Sequence, residues 1–228
     1  GDQQMAVARF GADGKLDKTF GRDGVAVLNV APGGKSAEVA RAVVVQSSGA
    51  VVVAGPIEHD VAATGDAAKD TDVAVVRFDA SGKPDATFGK NGIARVDLGA
   101  GRAVSATSYL ADTSWGIGNL AGDKVVVFAS TPALQADRTD ADYVLVGLTS
   151  AGAVDTAFGT SGFTKVDLNN SGDSPRNVAV QADGKILATG YSRDGDGIVS
   201  PVLIRTTSTG QLDTTFGTGG LATAKVLA

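Results

Sequence analysis

The chain has 228 residues, a formal net charge of −5 and a pI near 4.8, a balance that argues against nucleic acid as the main partner because phosphate binding needs a basic face. It has no cysteine, which excludes disulfides, thiolate zinc sites and thiol catalysis. Apolar residues at 43 % and charged residues at 20 % exclude a disordered chain, and no apolar run is long enough for membrane insertion.

In chain order, the first element is a strand-like run, 5–10, which points to a segment upstream of it. A turn motif follows, Leu16-Asp17-Lys18-Thr19-Phe20-Gly21-Arg22-Asp23-Gly24. An alternating run at 25–30 predicts a strand, and a hairpin is predicted at 42–46 and 50–54. After a strand at 73–78 the motif returns around Asp85, Phe88 and Gly89, followed by a strand at 93–98. Strands at 124–129 and 143–148 lead to a third copy around Asp155, Phe158 and Gly159. Strands at 163–168, 178–181, 185–189 and 202–206 lead to a fourth around Asp213, Phe216 and Gly217, with a last strand at 221–226. Asp-Gly between two apolar runs, at Asp183-Gly184, is a hairpin signal. The 31 glycines, and acids that are all Asp except Glu38 and Glu58, favour turns over helices.

Four short antiparallel strands per unit, repeated at this period, predict an all-β chain of β-propeller blades. Lettered a to d within a unit, the strands place the motif between d of one unit and a of the next. The chain reads as one repeat domain, 1–228, with units at about 21–88, 89–158 and 159–216 and partial units 1–20 and 217–228. Three complete blades and single flanking strands then make an open arc or a small ring. Unpaired strands 5–10 and 221–226 would invite self-association.

The four D-x-[TA]-F-G-x-x-G copies resemble the delta-60 repeat of bacterial proteins, and Gln181-Ala182-Asp183-Gly184-Lys185-Ile186 resembles its companion hairpin. In the middle unit Gly122-Asp123-Lys124 stands where Asp-Gly-Lys is expected. The resemblance implies a β-propeller and a secreted, periplasmic or cell-surface location. It implies no activity.

Within the motif, Phe20, Phe88, Phe158 and Phe216 are expected to plug the gaps between blades. Asp17, Asp85, Asp155 and Asp213 are expected to close Asx-turns, and Gly21, Gly89, Gly159 and Gly217 to take positive φ. A ring of cation-binding carboxylates is the competing reading. The d–a and b–c turns lie on one end of the blades. The variable a–b and c–d loops lie on the other, where binding on a rigid scaffold usually sits.

The c–d loops are rich in Asp. Asp137, Asp140 and Asp142, with Asp194 and Asp196, suit Ca²⁺ as well as solvated turns. The EF-hand pattern fails, because Ile198 sits where a ligand is needed. No cofactor is required. His59 is the only histidine and would have to carry any Ser–His–Asp triad. Trp115 and Tyr109, in the insert of the second unit, are candidates to stack on a partner, with Arg193 and His59 beside them as binding candidates. Gly116-Ile117-Gly118-Asn119-Leu120-Ala121-Gly122 is one residue too long for a dinucleotide fingerprint and reads as a loop or glycine-rich strand. The expected function is a non-enzymatic binding or scaffold module taking a protein or polysaccharide through the variable loops. A carbohydrate-cleaving propeller enzyme with Asp acid and base, or a structural segment of a larger surface protein, are the alternatives.

Overall fold

The computed structural model describes residues 3–33, 38–133, 135, 137–168, 172–193 and 196–224. It is all-β apart from two short 3-10 turns, Gly65–Lys69 and Ala121–Asp123. β1 (Met5–Ala8) and β2 (Val25–Leu28) pair as a two-stranded sheet. β3 (Ala42–Val45), β4 (Val51–Glu58), β5 (Thr71–Phe78) and β6 (Ile93–Val96) form a four-stranded antiparallel sheet in that order. A small ribbon, β7 (Arg102–Ala103) and β8 (Tyr109–Leu110), is inserted next. The second four-stranded sheet is β9 (Thr113–Asn119), β10 (Val125–Pro132), β11 (Ala141–Leu148) and β12 (Phe163–Val166). The third is β13 (Asp173–Val180), β14 (Ile186–Arg193), β15 (Val199–Thr206) and β16 (Leu221–Thr223).

The strand after each motif pairs back onto the strand before it. Ala8 faces Val25, Val76 faces Ile93, Val146 faces Phe163 and Ile204 faces Leu221. The motif is thus a loop within a sheet rather than a crossing between blades. This corrects the expectation of single flanking strands: β1 pairs with β2, and β16 completes the last sheet against β15. The reason is local. The Asx-turn and glycines bring both ends of the motif within hydrogen-bonding reach, and antiparallel strands joined by a short loop are neighbours.

The strands after the motif are shorter than expected. Two residues past three of these strands, a backbone N–H is taken up by a buried carboxylate from further along the chain. Val30 N–H donates to Glu38, Leu98 N–H to Asp112 and Leu168 N–H to Asp173. The last expected strand runs only to Thr223, and residues 225 and 226 lie outside the described residues. β9 is the strand that the glycine-rich run concealed.

The sheets stack face to face in chain order. Met5, Phe20 and Ala26 share a core with Val51, Val53, Ala74 and Val76. Val52, Val73 and Val75 meet Val125, Val127 and Val144. Val126, Phe128 and Leu145 meet Val178, Ile186 and Ile204. β4 and β10 are buried at every position because a sheet covers each face, which is why both read as apolar runs. β15 alternates and leaves Leu203 41 % exposed, since no sheet among the described residues covers its outer face. β9 packs against β3 and β4 on one side and β13 on the other, so the first strands of the sheets converge on an inner edge. Gly116 permits this: a Cβ there would lie 2.8 Å from the Val178 nitrogen.

Candidate functional site

The motif end of the sheets is a repeated seam. Asp17 Oδ1 accepts both the N–H and the hydroxyl of Thr19, and Asp85 and Asp213 do the same with Thr87 and Thr215. These bonds hold the Asp17, Asp85 and Asp213 carboxyls below the usual range. Gly21, Gly89, Gly159 and Gly217 all have φ between +53° and +56°. At Gly21 a Cβ would lie 2.2 Å from the Val25 carbonyl oxygen, so only glycine closes this turn.

Phe20, Phe88 and Phe158 are buried, each against a glycine of the next sheet: Gly82, Gly152 and Gly210. The N–H groups of Gly21, Gly89 and Gly159 cross to the Ser81, Ala151 and Thr209 carbonyls at 2.7, 2.8 and 2.7 Å. Phe216 has no following sheet among the described residues and is only half-buried. Phe20, Phe88 and Phe158 therefore fill the gaps between sheets, and Phe216 does not.

One partner was missed. Arg9, Arg77 and Arg205, each eight residues before a motif Asp, pair with Asp17, Asp85 and Asp213 at 2.9, 2.8 and 2.8 Å. Their guanidinium groups lie 4.6, 4.6 and 4.5 Å from the ring centres of Phe20, Phe88 and Phe216. In the remaining copy Gly147 takes the arginine's place and Lys124 pairs with Asp155 at 2.7 Å. That is the use of the departing Gly122-Asp123-Lys124 turn. The signal was present in the sequence as R-x₇-D.

The loop end holds two carboxylate groups, one on each of two successive sheets. His59, at the end of β4, bonds Asp72 through Nδ1 at 2.8 Å, and Asp97 lies near the same nitrogen at 3.9 Å. Arg95 on β6 pairs with Asp72 and donates to the Glu58 and His59 carbonyls. The bond from Asp72 raises the imidazole pKa. On the next sheet Arg138 draws together Asp140, Asp142 and Asp167. Burial pushes the Asp142 carboxyl up, and Asp167 adds to this.

Of the expected calcium ligands, Asp140 and Asp142 converge, and Asp167 joins them in place of Asp137, which is exposed and outside the group. Asp196 is exposed on another loop, and Asp194 lies outside the described residues. The oxygens are close enough to share a cation. A guanidinium already fills that place, so a metal ion would have to displace Arg138.

Behind each group sits a buried acid. Asp112 Oδ2 accepts the Leu98 N–H at 2.6 Å, and Asp173 Oδ2 accepts the Leu168 N–H at 3.0 Å. The Oδ1 atom of each has no hydrogen-bond partner among the described residues. Burial pushes both carboxyls up to about 7.

The expected binding residues are dispersed. Tyr109 sits on β8 under Lys69 at 5.8 Å, and Arg193 is exposed and donates to the Gly197 carbonyl. Trp115 lies on strand β9 rather than in a loop. It stands on the inner edge, with Arg41 4.1 Å and Arg176 4.9 Å from its ring centre. Arg176 also stacks on Tyr191 at 4.6 Å and donates to its hydroxyl at 2.9 Å.

Residues 181–216, from the β13–β14 turn through the last motif Phe, match the family model described as "Domain of unknown function (DUF5122) beta-propeller". This segment is β-propeller-like. The match agrees with the stack of four-stranded sheets to which it belongs. No curated protein matches the chain.

Proposed function

We propose that the chain is a non-enzymatic binding or scaffold module of the delta-60 repeat type, part of a secreted or surface bacterial protein, and that it engages a protein or polysaccharide at its loop end. The observation that carries this reading is the difference between the two ends. The motif end is consumed by its own seams, with Asp, Thr, Arg and Phe satisfied against one another in every blade that has them. The loop end holds side chains that differ from sheet to sheet, as a rigid scaffold with variable loops does. The imidazole of the sole histidine bonds Asp72, Arg95 donates to its backbone carbonyl, and no Ser or Thr hydroxyl is among its hydrogen bonds within the described residues.

The test is a ligand screen by thermal shift with variants at both ends. A ligand of this module raises the melting temperature of the parent chain. Its effect is lost when residues 60–69 are replaced by a short turn, and kept in Lys18→Gln and Lys90→Gln at the motif end. Loss confined to the motif-end variants would overturn the reading. Turnover of a glycoside abolished by Asp140→Asn would establish the enzyme alternative instead.

A further inference from the structure

The inner edge carries a second regularity, independent of the motif. β9 skips one residue in its pairing with β10: Gly116 faces Phe128 and Ser114 faces Ala129, which leaves Trp115 as the bulged residue. β13 does the same against β14, with Pro175 facing Gly190 and Asn177 facing Thr189, which leaves Arg176. Ahead of β3, the Arg41 N–H goes to the Ala54 carbonyl while Ala42 is the partner of Ala54. Gly55 and Gly190 then meet the Val39 and Ser174 carbonyls where a Cβ would stand. Arg41, Trp115 and Arg176 thus occupy corresponding places in three successive sheets. A bulge turns one side chain out of the ladder and aims it away from the sheet. Here three such side chains meet at the inner edge. The sequence carries the pattern as Arg41-Ala-Val-Val-Val-Gln46 and Arg176-Asn-Val-Ala-Val-Gln181.

The arginines of this place differ from the five that are matched with an acid. Arg9, Arg77, Arg95, Arg138 and Arg205 each pair with an Asp. Arg41 and Arg176 pair with no carboxylate among the described residues, in a chain of net charge −5. Arg41 donates to the Thr113 hydroxyl at 2.8 Å, and Arg176 to the Ser174 hydroxyl, the Pro175 carbonyl and Tyr191. A guanidinium has five N–H donors, so several remain unused here. Both arginines are exposed, and Trp115 and Tyr191 are half-buried. The rings support both guanidinium groups in fixed orientation, which lowers the entropy lost when a ligand is bound. Two cations held together without a counterion repel each other, and a bound oxyanion relieves that repulsion with charge-assisted hydrogen bonds.

We infer that Arg41 and Arg176, held on Trp115 and Tyr191 at the inner edge, form a binding site for an oxyanion group, a carboxylate or sulfate carried by the ligand of this module. The inference rests on the binding reading above and narrows it to an acidic ligand.

Trp115 is the only tryptophan, so its fluorescence reports on this site alone. Sodium sulfate, sodium citrate and a polyuronate are titrated into the full chain, with sodium chloride at matched ionic strength as reference. The expected result is a saturable change in Trp115 emission for at least one oxyanion probe that chloride does not reproduce. Calorimetry with that probe is then expected to show binding at least ~10-fold weaker in Arg41→Gln and Arg176→Gln, the loss of about one charge-assisted contact. Arg22→Gln, the same charge change at the motif end, is expected to bind as the parent does. A polyuronate that binds far more tightly than citrate would identify a polysaccharide as the source of the oxyanion, and the reverse a small acid. No response beyond chloride, or equal weakening in Arg22→Gln, would overturn the site. A ligand lost on replacement of residues 60–69 but indifferent to both arginines would overturn it while leaving the binding reading intact.

Discussion

At the residue scale, the four phenylalanines of one motif have two environments. Phe88 is fully buried between sheets, and Phe216 is half-buried at the outer face of the last one. Phe88→Ala is expected to cost about 3–5 kcal/mol by urea denaturation, from lost burial and the cavity left behind. Phe216→Ala is expected to cost less than half of that, since solvent already reaches its ring. Equal losses would show that the ring is not a plug between sheets. The buried acids make a second residue-scale prediction. Asp112 and Asp173 are raised to about 7, so between about pH 4 and 7 the folded chain holds protons that the unfolded chain has released, and stability falls as pH rises. His59, raised by its bond to Asp72, acts in the same direction: its contribution is lost as pH rises through its folded pKa. Asp17, Asp79, Asp85, Asp155 and Asp213 are lowered, and their contribution is lost as pH falls below about 4. Stability is therefore expected to peak on the acid side of neutrality. Asp112→Asn keeps the acceptor for Leu98 and removes the titration. Its stability profile is expected to be flatter across that window, and a profile parallel to the parent's would refute the assignment.

At the element scale, the sheets differ in what covers them. The central strands β10 and β11 of the middle sheet are buried on both faces, while β13 to β15 alternate between buried and open positions. Local stability follows buried apolar contact. Native-state hydrogen exchange is expected to show β14 and β15 opening before β10 and β11. Protection that is equal in the two sheets would mean that the stack unfolds as one unit. The seams also set an order of importance within the motif. Arg77 spans from Asp85 to the Ser150 carbonyl of the next sheet, and so links a turn to a seam.

At the scale of the whole molecule, the two-stranded β1–β2 sheet opens the stack. Among the described residues β1 pairs with β2 alone, and its other edge borders a groove of about 260 Å³ lined by Val7, Arg41, Val43 and Val53. Val43 and Val45 are 56 % and 61 % exposed. A strand edge beside exposed valines favours pairing with a further chain. We propose self-association through β1, and light scattering across a concentration series is expected to show mass rising with concentration, less so in Val43→Lys. A monomer at every concentration would exclude it.

The motif was legible as a turn because Asp, Phe and Gly each permit little else: an Asx bond, a large apolar ring in a polar loop, and a positive φ. The all-β stack was legible from short apolar runs between such turns. The partition of strands into sheets was not. Letters along the chain do not say whether a tight turn joins strands of one sheet or of two, and only the pairing of Val76 with Ile93 decides that. The arginine partners of the motif were present as a spacing of eight but acquire meaning only once antiparallel pairing sets Arg77 beside Asp85. Trp115 was visible as an isolated aromatic, and Asp140 and Asp142 as loop acids. Their surroundings come from residues distant in sequence: Arg41 and Arg176 for the first, Arg138 and Asp167 for the others. Local chemistry determined the turns and strands, because their bonds close within a few residues. The inner edge and the carboxylate groups were decided by the stacking of sheets, because the groups that meet there share no stretch of chain.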